Sequence, residues 1–420
     1  MKTFFAFWAT QAISQVGSAL VQFALAWYLA RETGSATVLA TAMLVAMLPM
    51  VVLGPVIGPF IDRWNRKRVM VIADLSVALV TLGLVALFFF DAVQVWHIYV
   101  AMVARAIGMT FNMPAMAASI PLIVPKAHLA RVGGLNQTLQ GIVMMGAPPA
   151  GALLLEALPM YGVLAVDIVT AAIAVGCLLF IAIPQPERTT LKTGISPLKD
   201  IVATFRYLWH DARGLMMLVG IFAALNFFVL PAFRLLPILV TEYLDGDVFK
   251  LGWLNSGFGV GMIAGGAVMS AWGGFRRRVV TVLAGEAVLG ISIFALGFAS
   301  TELFFLSLVA AFFQGIGISF GNAPMMAIFQ SVVPRDMQGR VFSILVSISQ
   351  GVVPLGLAVA GPAADMIGLR SFYFIVGTAS VAIVVLATFS RTLMNVEASG
   401  AAQESETGVK VKLGGPLETP

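Results

Sequence analysis

Charge is the first thing this chain lacks. Asp, Glu, Lys and Arg make up 11% of its 420 residues, against about a quarter in a soluble domain. A water-soluble globular fold is therefore excluded. Cysteine is nearly absent: one residue, Cys177, stands inside an apolar run, so no intrachain disulfide can form. Histidine occurs three times, as His97, His128 and His210, with no zinc spacing between them. No Walker sequence and no Ser/His/Asp arrangement is visible, which removes the signatures of an ATP-driven pump and of a hydrolytic enzyme. The apolar runs also lack the period of two that barrel strands require.

What is present is hydrocarbon. Apolar residues form 60% of the chain and mean hydropathy is +0.96, in runs long enough to cross a bilayer as helices. Twelve spans are read at roughly 4–30, 36–61, 69–90, 95–124, 134–158, 161–183, 214–242, 251–273, 279–299, 302–332, 341–367 and 371–394. Met1-Lys2 leads directly into the first, which is read as a retained span and not a signal peptide. Of the 25 Lys and Arg, 20 fall on the side that holds both termini, and only Arg31, Lys250 and Arg370 fall in loops on the other. The positive-inside rule then predicts cytoplasmic termini in a plasma (inner) membrane protein. The net charge of +5 sits in these short loops, so nucleic acid is not an expected partner.

The chain divides into an N-terminal bundle at 1–183, a linker at 184–213, a C-terminal bundle at 214–394 and a polar tail at 395–420 expected to be disordered. Within the linker, Leu198, Ile201, Val202, Phe205, Leu208 and Trp209 follow helical spacing, predicting a surface-lying amphipathic helix or a connector packed on the loops. The bundles are copies of one another. Val124-Pro125 and Arg131-Val132 recur as Val333-Pro334 and Arg340-Val341 at an offset of 209. Gln140-Gly141, Gly146 and Ala150-Gly151 recur as Gln350-Gly351, Gly356 and Ala360-Gly361 at 210, as Arg66-Lys67-Arg68-Val69 does at Arg276-Arg277-Arg278-Val279. Three matches in chain order at nearly one offset indicate duplication. An even number of spans per copy gives parallel halves, the architecture of a rocking transporter with its site between them.

Gly58-Pro-Phe-Ile-Asp62-Arg63-Trp-Asn65-Arg66-Lys67 resembles the loop signature between spans two and three of the major facilitator superfamily, with Asn65 in place of a glycine as the residue that next best tolerates a left-handed turn. Ala147-Pro148-Pro149-Ala150-Gly151 is similar to that superfamily's antiporter element, and Arg105-Ala-Ile-Gly108 to the arginine motif of its drug exporters. Thr33-Gly34-Ser35, Gly54-Pro55-Val56-Ile57-Gly58, the stretch from Arg105 to Pro114, and Gly339-Arg340-Val341-Phe342 resemble the macrolide-efflux branch. The resemblance implies an all-α integral membrane fold of twelve helices in two pseudo-symmetric bundles. It also implies a proton-coupled exporter of bulky apolar small molecules such as macrolides, with no cofactor beyond the proton gradient. The expected partners are a small-molecule substrate and membrane lipid, with the chain a monomer. Export of an endogenous metabolite such as a siderophore is the alternative on the same fold, and a non-transporting receptor or scaffold the alternative of another class.

Candidate residues follow from both readings. Gly58, Asp62, Arg63, Arg66, Lys67 and Arg340 are assigned to a conformational gate, with Asp62 facing Arg340 or the start of span eleven. A solvated loop that only sets topology is the competing reading for its basic residues. Trp272 stands where the second half would repeat Asp62, which predicts an asymmetric latch. Charges inside spans are costly and usually functional. Arg105, Asp167, Glu286 and Asp74 are the proton-coupling candidates, and Glu156 and Asp365 lie near outer ends. Burial in apolar surroundings disfavours a charged carboxylate, which makes Asp167 and Glu286 candidate carriers. An Arg105 ion pair that merely holds helices together is the structural alternative. Gln11, Gln15 and Gln22 share a helical face as a possible cavity wall. Phe111, Asn112, Met113, Asn226, Phe227 and Arg234 complete the cavity candidates, Arg234 between Pro231 and Pro237. Gly146, Pro148, Pro149 and Gly151 are the antiporter element, whose bland role is close helix packing. No metal site is expected.

Overall fold

The computed structural model describes residues 2–125, 129–181, 206, 208, 209, 213–333 and 338–397. The linker helix expected within 184–213 and the tail from 398 lie outside the described residues, apart from exposed Arg206 and Trp209 and buried Leu208. Among the described residues the fold is helical, with no strand.

The first half contains α1 (Lys2–Thr33), α2 (Ala36–Arg63), α3 (Arg66–Phe89), α4 (Val95–Ile123), α5 (Leu129–Ala157) and α6 (Met160–Phe180). The second contains α7 (Arg213–Arg234), α8 (Leu236–Tyr243), α9 (Val248–Trp272), α10 (Arg278–Leu296), α11 (Phe304–Val332), α12 (Gln338–Gly351), α13 (Val353–Ile367) and α14 (Leu369–Thr388), followed by the short α15 (Arg391–Met394). Among the described residues, 11 helical segments are long and apolar enough to cross a membrane, and α5, itself 29 residues long, has its apolar run at Gly141–Ala157. Two expected spans are broken. Span seven breaks at Leu235, flanked by Pro231 and Pro237, into α7 and α8. Span eleven breaks at Val352, ahead of Pro354, into α12 and α13. Proline removes a backbone donor and crowds the preceding turn, so each break falls where its prolines put it.

Packing repeats as the sequence does. In the first half α3 packs on α4 and α6, α1 on α6 and α5, and α2 on α4. In the second, α10 packs on α11 and α14, α7 on α14 and α13, and α9 on α11. The halves meet along α2 with α13 and α5 with α9. Glycine makes the first contact possible, since a Cβ at Gly361 would lie 2.8 Å from Ala40 Cβ.

One face, where α1 and α7 begin, carries Arg66, Lys67, Arg68, Arg276, Arg277 and Arg278; it is termed the basic face, and the other the opposite face. Toward the opposite face a single apolar core runs through both halves, joining Leu29, Leu39 and Ala152 to Leu239, Leu254 and Leu357. Toward the basic face the described cores are separate. Leu215, Val282, Ile328 and Val341 belong to the second half alone, and Phe7, Ile57, Met70 and Ala115 to the first alone. Among the described residues the core thus joins the halves at the opposite face and is divided at the basic one.

Candidate functional site

The first half contains two polar layers between apolar helices. In the layer nearer the basic face, Asp74 of α3 accepts from Asn112 of α4 at 2.7 Å and from Gln11 of α1 at 3.3 Å. In the other, Asp167 of α6 accepts from Ser18 of α1 at 3.0 Å, from Thr81 of α3 at 3.2 Å, and from the Arg105 guanidinium of α4, with which it forms an ion pair. Arg105 also donates to the Thr81 hydroxyl.

Each of three helices contributes to both layers through residues seven apart: Gln11 and Ser18, Asp74 and Thr81, Arg105 and Asn112. Seven residues are two helical turns, so the layers stand about 10 Å apart. Asp167 is 1% and Arg105 4% exposed. A charge so buried is stable only when paired and hydrogen-bonded, as both are here.

Small residues let the helices come close enough. A Cβ at Gly108 would sit 2.6 Å from Val77 Cγ2 and 3.2 Å from the Ala73 carbonyl oxygen. Gly108 lies one turn from Arg105, so the Arg105-x-x-Gly108 motif is one device: the glycine closes α4 on α3 and the arginine uses that closeness. Gly17 does the same for α1 against Thr170 and Asp167.

Glu286 differs. It is 7% exposed on α10, its Oε1 lies against α11 where a Cβ at Gly321 would be 2.8 Å away, and no hydrogen bond reaches it among the described residues. Of the expected coupling residues, Arg105 and Asp167 are therefore joined, Asp74 lies a layer away, and Glu286 stands alone in the other half. Ser18 and Thr81, which complete the Asp167 layer, were not singled out from sequence. The seven-residue spacing of polar positions in neighbouring apolar helices is the signal that finds them.

The expected cavity residues separate. Gln11 is buried and spent on Asp74, which corrects its placement on a cavity wall; Asn112 is likewise held by Asp74. Gln15 and Gln22, half-buried, reach Met116 Sδ and Met43 Sδ at 3.7 and 3.8 Å. Phe111 stacks on Trp64 with centroids 6.2 Å apart, and Met113 is exposed. In α7, Asn226 and Phe227 are half-buried, with Phe227 edge-on to Phe228 at 5.1 Å. Arg234 is exposed at the end of α7, and no partner reaches it among the described residues.

The antiporter element packs across the half interface. A Cβ at Gly252 of α9 would meet Ala152 Cβ and Pro149 Cα at 3.4 Å. Gly151 lies against Phe23, with 2.7 Å from its Cβ position to Phe23 Cδ1, while Gly146 faces open space.

At the gate, Gly58, Asp62 and Arg63 enter only as backbone of α2, and Arg340 as backbone of α12; the Asp62 to Arg340 latch lies outside the described residues. Two expectations for the loop are corrected. Asn65 is not left-handed: at φ −70° it is the N-cap of α3, its side chain accepting from the Arg68 amide at 3.1 Å. Nor is Arg66 merely solvated. It is buried, and its guanidinium donates to the Ala118 carbonyl of α4 at 2.6 Å, while Lys67 donates to the Leu179 carbonyl of α6 at 2.9 Å. Both side chains reach carbonyls toward the C-terminal ends of α4 and α6, where the backbone dipole favours a cation. Arg278 repeats the anchor on the Ala327 carbonyl at 3.3 Å. Trp272, in the place of Asp62, packs on Phe275 and Phe320.

The sequence profile of the Major Facilitator Superfamily matches residues 7–243 and 216–416. The chain belongs to that superfamily. It is a multi-pass membrane transporter and not an enzyme. It is 30% identical over 383 residues to macrolide efflux protein A of Streptococcus pyogenes, covering 91% of this chain and 94% of that one. It is 23% identical to the multidrug efflux pump Tap of Mycolicibacterium fortuitum, again over 91% of this chain and 94% of that. Among solved structures the transporter resembles the nucleoside transporter NupG, with TM-score 0.72 at 11% identity over 92% of this chain and 100% of that. It also resembles a bacterial homologue of the iron transporter ferroportin in an inward-facing state, with TM-score 0.70 at 16% identity over 95% and 98%. At these identities the structural likenesses establish the fold alone.

Proposed function

We propose that the transporter is a proton-driven exporter of bulky, largely apolar small molecules of the macrolide kind, working by alternating access. The observation that carries this reading is the asymmetry of the core among the described residues, continuous across both halves at the opposite face and divided at the basic face. A site between two such halves is reached from one side at a time. Similarity to macrolide efflux protein A along nearly the whole of both chains supports the substrate class and the outward direction. The concentration of basic residues supports a cytoplasmic basic face with both termini inside, in the plasma membrane. In this arrangement the present state is open to the cytoplasm.

Proton exchange is supported by the carboxylates within the spans. Glu286, lacking a hydrogen-bond donor among the described residues, is the group whose charge the protein does least to hold, and it is assigned as the carrier. Arg105 and Asp167 hold a compensated pair that a proton or a shift of α4 against α6 can divide. Asp62 and Arg340 remain assigned to a latch on the basic face. No cofactor is required, and a monomer contains both halves of the site.

A second reading is favoured by Arg234. An exposed guanidinium with no partner among the described residues suits an oxygen-rich or anionic substrate, as an endogenous siderophore-type metabolite is. Reconstitution in liposomes with a lumenal pH dye separates the readings. Macrolide-dependent proton movement, abolished in Glu286→Gln, supports the first; movement evoked only by an anionic chelator and lost in Arg234→Gln supports the second. Ligand binding with no proton movement for either would indicate a receptor.

A further inference from the structure

The Thr33-Gly34-Ser35 turn and Asp365 form a built junction at the opposite face that the transport reading leaves unused. Gly34, at φ +58°, ends α1 in a left-handed turn and returns the chain into α2. Ser35 then caps α2 from within, its Oγ accepting from the Val38 amide at 3.3 Å. The first amides of a helix have no partner inside it. Here the other half of the protein supplies one: Asp365, near the end of α13, accepts from the Ala36 amide at 2.8 Å, the Thr37 amide at 3.0 Å and the Ser35 hydroxyl at 2.9 Å.

Gly361, one turn before Asp365 on the same helix, is what lets α13 approach; a Cβ there would lie 2.8 Å from Thr37 Cα. The carboxylate also meets the positive end of the α2 dipole. No cation forms an ion pair with it among the described residues, so the helix end is its counter-charge.

Asp365 is exposed and lines a cavity of about 220 Å³ with Gly34, Ala36, Glu242 and Tyr243. Water on the opposite face therefore reaches it. The ionisable groups around it are Glu242 and Tyr243 from α8, Arg370 from α14, and exposed Arg31 and Glu32 at the end of α1. Arg370 is engaged elsewhere, over the Tyr243 ring at 4.5 Å and on the Ala299 carbonyl at 3.0 Å.

We propose that Asp365 is the latch of the opposite face: its charged carboxylate locks α13 onto the N-terminus of α2, and the two halves part there only when its three bonds are broken together. Three donors and the positive end of a helix all favour the ionised form, so the lock does not depend on protons in the opposite-face solution. The state open to the opposite face is reached by displacing α13 from α2, not by titrating the latch.

The test places spin labels at Ala92→Cys and Thr301→Cys, one in an exposed loop of each half, in a Cys177→Ser background in lipid nanodiscs. Label separations are read by double electron–electron resonance at pH 8 and pH 5.5. The parent is expected to show the short, closed separation at both pH values, because its bonds hold the carboxylate ionised. Asp365→Ala is expected to raise the open-to-closed ratio at pH 8 about tenfold. Asp365→Asn, isosteric but uncharged, is expected to open partially and equally at both pH values. Glu242→Gln, which leaves all three bonds in place, is expected to keep the parent's closed distribution. Closed distributions in Asp365→Ala, opening of the parent on acidification, or opening in Glu242→Gln would each overturn the latch. The distances are read without substrate, so the result is independent of whether macrolides are exported.

Discussion

Gln11 and Ser18, seven residues apart on α1, each donate to a different buried carboxylate, Asp74 on α3 and Asp167 on α6. One helix therefore ties together two polar layers, and displacement of α1 is felt at both. Since α1 also touches α8 in the other half, movement between the halves has a direct path into the polar layers.

The Arg105 and Asp167 pair is the most exacting part of this arrangement. Arg105→Ala leaves Asp167 buried without its cation, and a loss of about 3–5 kcal/mol of stability is expected. A double variant, Arg105→Met with Asp167→Leu, removes both charges and should recover most of that loss while still failing to export. Thermal unfolding in detergent beside an efflux assay checks both; a double variant less stable than Arg105→Ala would show that the pair is held for reasons other than charge balance.

Glu286 is expected to behave in the opposite way. It has no hydrogen bond to lose among the described residues, so Glu286→Gln should leave the unfolding temperature unchanged or higher. Export should become insensitive to the pH difference across the membrane. Initial rates in proteoliposomes at several imposed gradients provide the measurement. Retention of the full gradient dependence would move the proton elsewhere, with Asp74 and Asp167 next in line.

Much of this was legible in the sequence for a physical reason: hydrocarbon enforces helices, and the repeat at 209–210 enforces the symmetry seen in the packing. The break of span seven was legible because Pro231 and Pro237 carry it. Partnership was not. Gln11, Gln15 and Gln22 differ by small rotations on α1, yet one is consumed by Asp74 and the others approach methionine sulfurs. Arg66 reads as a solvated loop cation until its Ala118 partner is seen across the bundle. Asp365 reads as an end-of-span charge because its partner, the α2 backbone, has no sequence signature.

Gly108 tests whether closeness of α3 and α4 matters as much as the charges. Gly108→Val forces new methyl groups onto Val77 and the Ala73 carbonyl, with an expected cost of about 1–3 kcal/mol. Export should fall with it, because Arg105 is one turn away. Gly108→Val combined with Val77→Ala, which opens space at the contact, should recover part of the stability; no recovery would mean that the backbone contact with Ala73 dominates.

The basic loop makes a graded prediction. Arg66→Ala removes a charged, buried donor from the Ala118 carbonyl and should cost about 1–3 kcal/mol. Lys67→Ala breaks a more exposed bond to Leu179 and should cost less than about 1 kcal/mol. Unfolding temperatures of the two variants, purified identically, order them. Equal effects would mean that Arg66 contributes no more than a surface cation.

The central claim is proton-driven export of macrolide-like compounds, and it is tested most directly by accumulation of a radiolabelled fourteen-membered macrolide in cells expressing the transporter or Glu286→Gln, with and without a protonophore. The account predicts lower accumulation in cells with the parent protein, rising to the control level with protonophore, and no lowering by the variant. Accumulation equal to the control in cells whose membranes contain the parent protein would contradict it.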